Sequence, residues 1–332
     1  MFPAARKSKK CRFQDYMINP DYFASIDMFR QRIGITMKFI EQKRTHIPAK
    51  VDFIHQKHLN IPYAQGGERN MLDIYLPNDG APPFPTIIDI FGGGWFFGDK
   101  SSHKLEPALA LLRRGFAVVS INYSLSWQKR FPAQIYEVKS AIRFIRANAE
   151  KYGLDPNHIA LMGESAGAHL AALSALSASC GKLEDPDEAD HKISDQVQAV
   201  IAVYCPSNLG LIAEQFKVLG VEPQQEEFGE ADSMEGVLFG YRRAKDAPEL
   251  VQMANPCNYV SPNSPPFLFL HGDKDRCIPI LQSMNLASEI LHATDDHHVQ
   301  YHIVEGAGHN IHDFEREDLY DLESAFLKKW LL

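Results

Sequence analysis

The pentapeptide Gly163-Glu164-Ser165-Ala166-Gly167 constrains this chain more than any other stretch. It stands between a short apolar run, Ile159 to Met162, and an Ala-rich segment, Ser165 to Ser177, which read as a strand and a helix. A serine on so sharp a strand-to-helix turn must accept a strained backbone. Strand and helix then approach so closely that the positions two before and two after the serine have no room for a side chain, and Gly163 and Gly167 meet that need. A helix that starts at this point also directs its positive dipole end at any anion forming above the serine. A chance Gly-x-Ser-x-Gly in a loop would lack this context.

A second signal is Phe91-Gly92-Gly93-Gly94-Trp95, directly after the apolar run Thr86 to Phe91. Backbone N–H groups in such a loop are free to face a substrate oxygen, and a tetrahedral intermediate needs two or three donors in fixed positions. Gly93, Gly94 and the N–H of Ala166 are the expected donors. A phosphate-binding loop would carry a lysine and a Gly-Lys-Ser/Thr ending, which are missing. Trp95, Phe96, Glu164 and Trp127 are the candidate substrate contacts, with core packing the competing role for at least one of the aromatics Trp95, Phe96 and Phe97.

A serine hydroxyl is a weak nucleophile and needs a base beside it. Of the 14 histidines, His309 in Gly306-Ala307-Gly308-His309 follows the last expected strand, at the carboxyl edge of the sheet where open α/β folds bind ligands. His312 is the nearest rival; His302 falls inside a strand, and His297 and His298 precede it. The base needs a carboxylate to hold its tautomer. Asp275 stands past the turn in Leu270-His271-Gly272-Asp273-Lys274-Asp275, and Asp273 reads as shaping that turn. The chain order is then Ser165, Asp275, His309, with catalysis assigned to these three.

The remaining chain supports an α/β layout with a mostly parallel sheet covered by helices on both faces. Leu72, Ile74 and Leu76 alternate with polar residues as in a half-buried strand that Pro77 ends. Strands are expected at Phe116 to Tyr123, Val197 to Tyr204, Pro266 to His271 and Val299 to Val304. Helices are expected at Ser102 to Arg114, from Pro132 with Gly153 as its cap, near Ile280 to Leu291, and at Asp313 to Leu331. About 60 residues between Tyr204 and Pro266 are too many for a structureless loop. Leu211, Phe216, Leu219, Val237, Leu238 and Leu250 make them read as a small helical cap over about residues 207–262 of a catalytic domain spanning 51–332. In the segment 1–50, Ile26, Phe29, Ile33, Met37 and Ile40 mark one apolar helix face that packs on the body or the cap.

A net charge of -8 argues against a nucleic-acid partner. No apolar run is long enough for a bilayer span, and the basic stretch Arg6 to Arg12 is followed by Gln14 and Asp15 rather than by an apolar signal core. A cytoplasmic protein with no membrane association and no export signal is expected, its five scattered cysteines reduced. Asp295-Asp296-His297-His298 reads as a polar loop and His55 and His58 likewise, so no metal and no cofactor are expected. A homodimer is compatible with the sequence, which does not specify one.

Together these residues resemble the α/β-hydrolase superfamily, and within it the BD-FAE-like and hormone-sensitive-lipase-like carboxylesterases. The likeness includes Asn122-Tyr123-Ser124-Leu125, Phe131-Pro132-Ala133, Tyr152-Gly153-Leu154-Asp155-Pro156, His169-Leu170-Ala171 and Pro265-Pro266-Phe267. The resemblance implies hydrolysis of short-chain or aryl esters, including acetyl or feruloyl esters of plant-derived carbohydrates, so the partner would be a small-molecule or oligosaccharide ester. Three departures stand out: Phe91 where the family usually has His, Ser124 where Arg is frequent, and Pro206-Ser207-Asn208-Leu209 where Pro-Thr-Asp is frequent. Two other functions fit the same fold. One is an amide hydrolase, a peptidase or arylformamidase, on the same triad. The other is a non-catalytic receptor like the gibberellin receptors, which have lost the histidine that His309 supplies here.

Overall fold

A computed structural model describes residues 46–332, apart from 179, 188–191, 226 and 296. The amphipathic helix expected over Ile26 to Ile40 lies outside the described residues. Residues 49–332 form one compact unit.

Among the described residues, eight strands make one sheet in the order β1-β2-β4-β3-β5-β6-β7-β8. They are β1 (Lys57–Pro62), β2 (Met71–Tyr75), β3 (Phe84–Ile90), β4 (Ala117–Ile121), β5 (Leu154–Glu164), β6 (Ala199–Val203), β7 (Phe267–Gly272) and β8 (Val299–Val304). Only β2 runs against its neighbours β1 and β4; from β4 through β8 every pairing is parallel. The helices are α1 (Glu106–Ala110), α2 (Ala133–Ala147), α3 (Ala166–Leu176), α4 (Ile212–Leu219), α5 (Met234–Leu238), α6 (Pro248–Met253), α7 (Leu281–Ala293) and α8 (Glu317–Leu331).

The central strands are apolar on both faces because helices cover both. Every residue of β4, β6 and β7 is buried. On one face Ile87, Val118, Ala160, Ile201 and Leu268 pack with Leu109 and Phe116 and with Leu319, Phe326 and Leu327 of α8. Each of the Val, Leu, Ile and Phe side chains among them contributes about 1.5–3 kcal/mol by leaving water. Helix α2 buries Val138, Ile142 and Ile145, the stripe its spacing predicts. Because β3, β5, β6, β7 and β8 are parallel, their carboxyl ends lie at one edge, and the loops that follow them meet there.

Several local expectations differ from the structure. The strand at Leu72 and Ile74 is buried on both faces, because Asp73 is matched inside by Lys100 at 2.6 Å. The single helix expected over Ser102 to Arg114 is three pieces: 3-10 turns at His103–Leu105 and Leu111–Arg114 flank the short α1. Pro107 has no N–H to continue a ladder from His103, so the α-helix starts anew there. Helix α2 ends at Ala147 with Asn148 as its C-cap, and Gly153 instead closes a separate 3-10 turn, Glu150–Tyr152, with φ 70°. Strand β5 has 11 residues rather than four, since Leu154 already pairs with Phe84 across a register shift. Helix α8 starts at Glu317, after a 3-10 turn at Ile311–Asp313. Strand β1, largely exposed and ending in Pro62, has only Leu59 and Ile61 as an apolar alternation, too short to read as a strand.

Between β6 and β7 the chain forms short pieces: α4, α5 and α6 with 3-10 turns at Leu209–Leu211, Ala244–Asp246 and Pro256–Tyr259. Phe216, Val237, Leu238 and Phe239 anchor them by burial. The backbone N–H of Phe131 donates to Leu238 O at 3.1 Å, which ties this segment to the loop after β4.

Candidate active site

Ser165 sits where β5 gives way to α3, with φ 53° and ψ -121°. This is left-handed backbone that an L-residue holds only when its surroundings enforce it. The enforcement is visible on both sides. A Cβ at Gly163 would fall 2.5 Å from the Gly167 carbonyl carbon, and one at Gly167 would fall 1.8 Å from Ile90 O. Ser165 N–H donates to Val203 O at 3.0 Å, pinning the turn to β6.

The imidazole of His309, on the loop after β8, places Nε2 2.9 Å from Ser165 Oγ. Its Nδ1 lies 2.7 Å from Asp275 Oδ2, on the loop after β7. A carboxylate only accepts, so Nδ1 carries the proton and Nε2 is left to accept from the serine hydroxyl. The other carboxylate oxygen of Asp275 accepts from the N–H groups of Cys277 (2.7 Å) and Ile278 (2.8 Å). Burial alone would raise this carboxyl; the His309 charge and hydrogen bonds from His271 and His309 outweigh it and hold Asp275 well below the usual carboxylate range. His271 was not singled out from the sequence. It is fully buried, with Nε2 3.2 Å from Ile278 O and 3.3 Å from Asp275 Oδ2, so it shores up the carboxylate from behind.

Asp273 turns away, accepting from Gly306 N–H at 2.6 Å and pairing with Lys274. His312 pairs with Glu315 at 2.9 Å, and His302 is exposed on β8. His298 pairs with Asp295 at 2.7 Å. Among the described residues no group of three or more His, Cys, Asp or Glu is placed to hold a metal.

Beside Ser165 lies the loop 91–98. Gly93 and Gly94 have φ 129° and 61°. The carbonyl of Gly93 accepts from the N–H groups of Phe96 and Phe97, a tight turn that leaves the N–H groups of Gly93 and Gly94 pointing elsewhere. Among the described residues, no protein group accepts from the N–H of Gly93, Gly94 or Ala166. The loop is held without the usual histidine. Phe91 stacks on Tyr123 at 4.4 Å with the Arg69 guanidinium 5.6 Å from its centroid. Arg69 donates to the carbonyls of Tyr123 (2.8 and 3.0 Å) and Gly98 (3.3 and 3.4 Å), and Tyr123 O–H donates to Phe91 O at 3.0 Å.

Three of the four expected substrate contacts, Trp95, Phe96 and Glu164, are buried. Glu164 is buried: its Oε1 accepts from Gly92 N–H and from Lys104 Nζ, both at 2.6 Å. Burial would raise its carboxyl, but Lys104 above all, with His309 and Gly92, lowers it, so Glu164 is a fixed negative charge under the loop. Phe96 is fully buried against Phe97 at 4.7 Å and offers no surface to a ligand. Trp95 is buried too, with φ 57° and its ring edge-on to His169 at 5.2 Å; its carbonyl accepts from Ser126 N–H, next to Trp127, the one of the four that is half-buried. Burial pushes His169 down to about 4, so it is a neutral ring whose Nε2–H donates to Ala254 O. Tyr204, also unpredicted, packs its ring 4.3 Å from that of His309.

The other departures have local compensation. Ser124 donates through N–H and O–H to the Glu137 carboxylate at 2.5 and 2.7 Å. Ser207 is held by Gln282 at 2.7 and 2.8 Å.

A mostly parallel sheet covered by helices, with a strained Ser165 at the end of β5 and Asp275 and His309 after β7 and β8, defines an α/β-hydrolase fold. Residues 72–290 match the family model described as BD-FAE, and the chain belongs to that family. It is 36% identical over 240 residues to "Esterase LipQ" of Mycobacterium tuberculosis, covering 72% of this chain and 53% of that protein. It is 33% identical over 242 residues to "Esterase LipC" of the same organism, covering 72% and 56%. The chain thus spans about half the length of the curated relatives it matches. Among solved structures it is similar to a "Truncated form of carbohydrate esterase from gut microbiota", with TM-score 0.74, 29% identity, and 85% of this chain and 98% of that chain covered.

Proposed function

We propose that this chain hydrolyses carboxylic esters of short-chain or aryl acids through an acyl-enzyme on Ser165, with acetyl or feruloyl groups on carbohydrates as the substrate class. The observation that carries the reading is the relay from Ser165 Oγ to His309 Nε2 at 2.9 Å and from His309 Nδ1 to Asp275 at 2.7 Å, beside three N–H groups unpartnered among the described residues. The named esterases among its relatives and the carbohydrate esterase of similar fold support it.

In the first half-reaction Ser165 Oγ attacks the ester carbonyl carbon as its proton passes to His309 Nε2. The carbonyl electron pair moves onto oxygen, where the N–H groups of Gly93, Gly94 and Ala166 receive the charge. Asp275 stabilises the imidazolium without taking its proton. The intermediate collapses, the alkoxide leaves with the proton from His309, and the acyl group stays on Ser165. Water then attacks that ester with His309 again as base and releases the acid.

The test is a panel of p-nitrophenyl acetate, methyl ferulate and acetylated xylan oligomers beside aminoacyl anilides and N-formylkynurenine. Ester turnover that falls by about three orders of magnitude or more in Ser165→Ala is the expected result. Turnover confined to the amides would replace the ester reading by an amidase, and no turnover of any would favour a receptor.

Among the described residues no helix is long and apolar enough to cross a membrane.

A further inference from the structure

Gly94 is bare for a reason that lies outside its own loop. A Cβ at that position would fall 1.9 Å from the Met234 sulfur and 2.9 Å from its Cγ. The thioether therefore lies directly on the backbone of an expected oxyanion donor. It comes from α5, in the segment between β6 and β7, far from loop 91–98 in sequence.

The helix that carries Met234 is firmly seated. Ser233 caps it by accepting from Gly236 N–H at 2.9 Å. Gly236 is pressed against Glu230 O, where a Cβ would come within 2.1 Å, and Val237, Leu238 and Phe239 are buried. Within this run Met234 alone is only half-buried, with Ser233 and Glu235 on either side both buried. A side chain that stays partly open on an otherwise buried helix, and lies against the oxyanion loop, is available to touch a bound substrate.

Stereochemistry decides which part of the substrate it meets. In the tetrahedral intermediate the oxyanion points to the N–H donors and the leaving alcohol points to His309, which must protonate it. A group lying on the donor side, against Gly94, therefore borders the remaining substituent, the acyl chain. We infer that Met234 closes the acyl side of the site and limits the acyl group to a short chain, a restriction that rests on the ester reading above. A thioether fills such a space without a hydrogen-bonding demand, which suits an apolar acyl end.

The test compares kcat/KM for p-nitrophenyl acetate, butyrate and hexanoate in the wild type, Met234→Ala and Met234→Phe. The ratio of hexanoate to acetate should rise by about tenfold or more in Met234→Ala, since one methylene in a fitted pocket is worth about that factor. It should fall in Met234→Phe, where the space shrinks. A wild type that turns over esters with ratios unchanged in both variants would overturn the inference and leave the ester reading standing. A wild type that turns over no ester would remove both. A Met234→Ala chain that fails to fold leaves Met234→Phe, whose unchanged butyrate-to-acetate ratio would equally overturn it.

Discussion

His309 Nε2 and Ser165 Oγ stand 2.9 Å apart although 144 positions separate them, and Asp275 fixes the imidazole from its other side. The orientation depends on a group at 275 that can only accept. Asp275→Asn would present an amide that can donate, favouring the wrong tautomer, and kcat for p-nitrophenyl acetate should fall by about 10⁴. The same carboxyl carries a stability signature. Its folded pKa is depressed, so its contribution is present above the ordinary range near pH 4 and is lost as pH falls below it. Thermal melts between pH 6 and pH 3 should show the wild type losing stability more steeply than Asp275→Asn.

Glu164 and Lys104 should behave as one unit. Their ion pair is nearly enclosed, with side chains 6% and 12% exposed. Lys104→Met leaves a buried carboxylate without its cation and should cost about 3–5 kcal/mol in urea unfolding, whereas Lys104→Met with Glu164→Gln should cost clearly less. Strict additivity would contradict the coupling. Because Glu164 also holds Gly92 N–H, Glu164→Gln should lower kcat by about tenfold or more with little change in KM.

Arg69 replaces, by a different route, the support that a histidine at position 91 would give. Its fork reaches the carbonyls of Tyr123 and Gly98 together. Arg69→Lys keeps the charge and loses the fork, so kcat should drop by about tenfold, measured with p-nitrophenyl acetate, as the loop is less well positioned.

Glu323 of α8 is buried with no partner for Oε2 among the described residues, and burial, opposed by Arg114, pushes its carboxyl up to about 8. The folded state therefore holds a proton there that the unfolded chain releases above the ordinary Glu value. Stability should decline by up to about 1.4 kcal/mol per pH unit from this group between the unfolded value and about 8, and level off above it. Glu323→Gln should flatten that decline, leaving the variant the more stable at pH 8 and close to the wild type at pH 5.

What the sequence made legible was set by sterics and chain order. Gly163 and Gly167 are required by contacts within 3 Å, and such requirements are local enough to read from five residues. Asp275 and His309 could be placed because parallel strands deliver their following loops to one edge. Glu164 was misplaced for the converse reason: its partner Lys104 is 60 positions away and nothing in either neighbourhood announces the pair. Phe96 and Trp95 look like surface-capable aromatics in sequence, and only the turn onto Gly93 O shows that both rings are buried. The Met234 contact depends on how α5 seats on loop 91–98, which no periodicity encodes.

The most direct measurement is intact-mass analysis after exposure to a fluorophosphonate, with the adduct mapped by peptide sequencing. The wild type should gain a single phosphonyl group on Ser165, His309→Ala should label at least about a hundredfold more slowly, and Ser165→Ala should not label. A wild type that stays unmodified, or that carries the adduct on another residue, would contradict the assignment of Ser165 as an activated nucleophile.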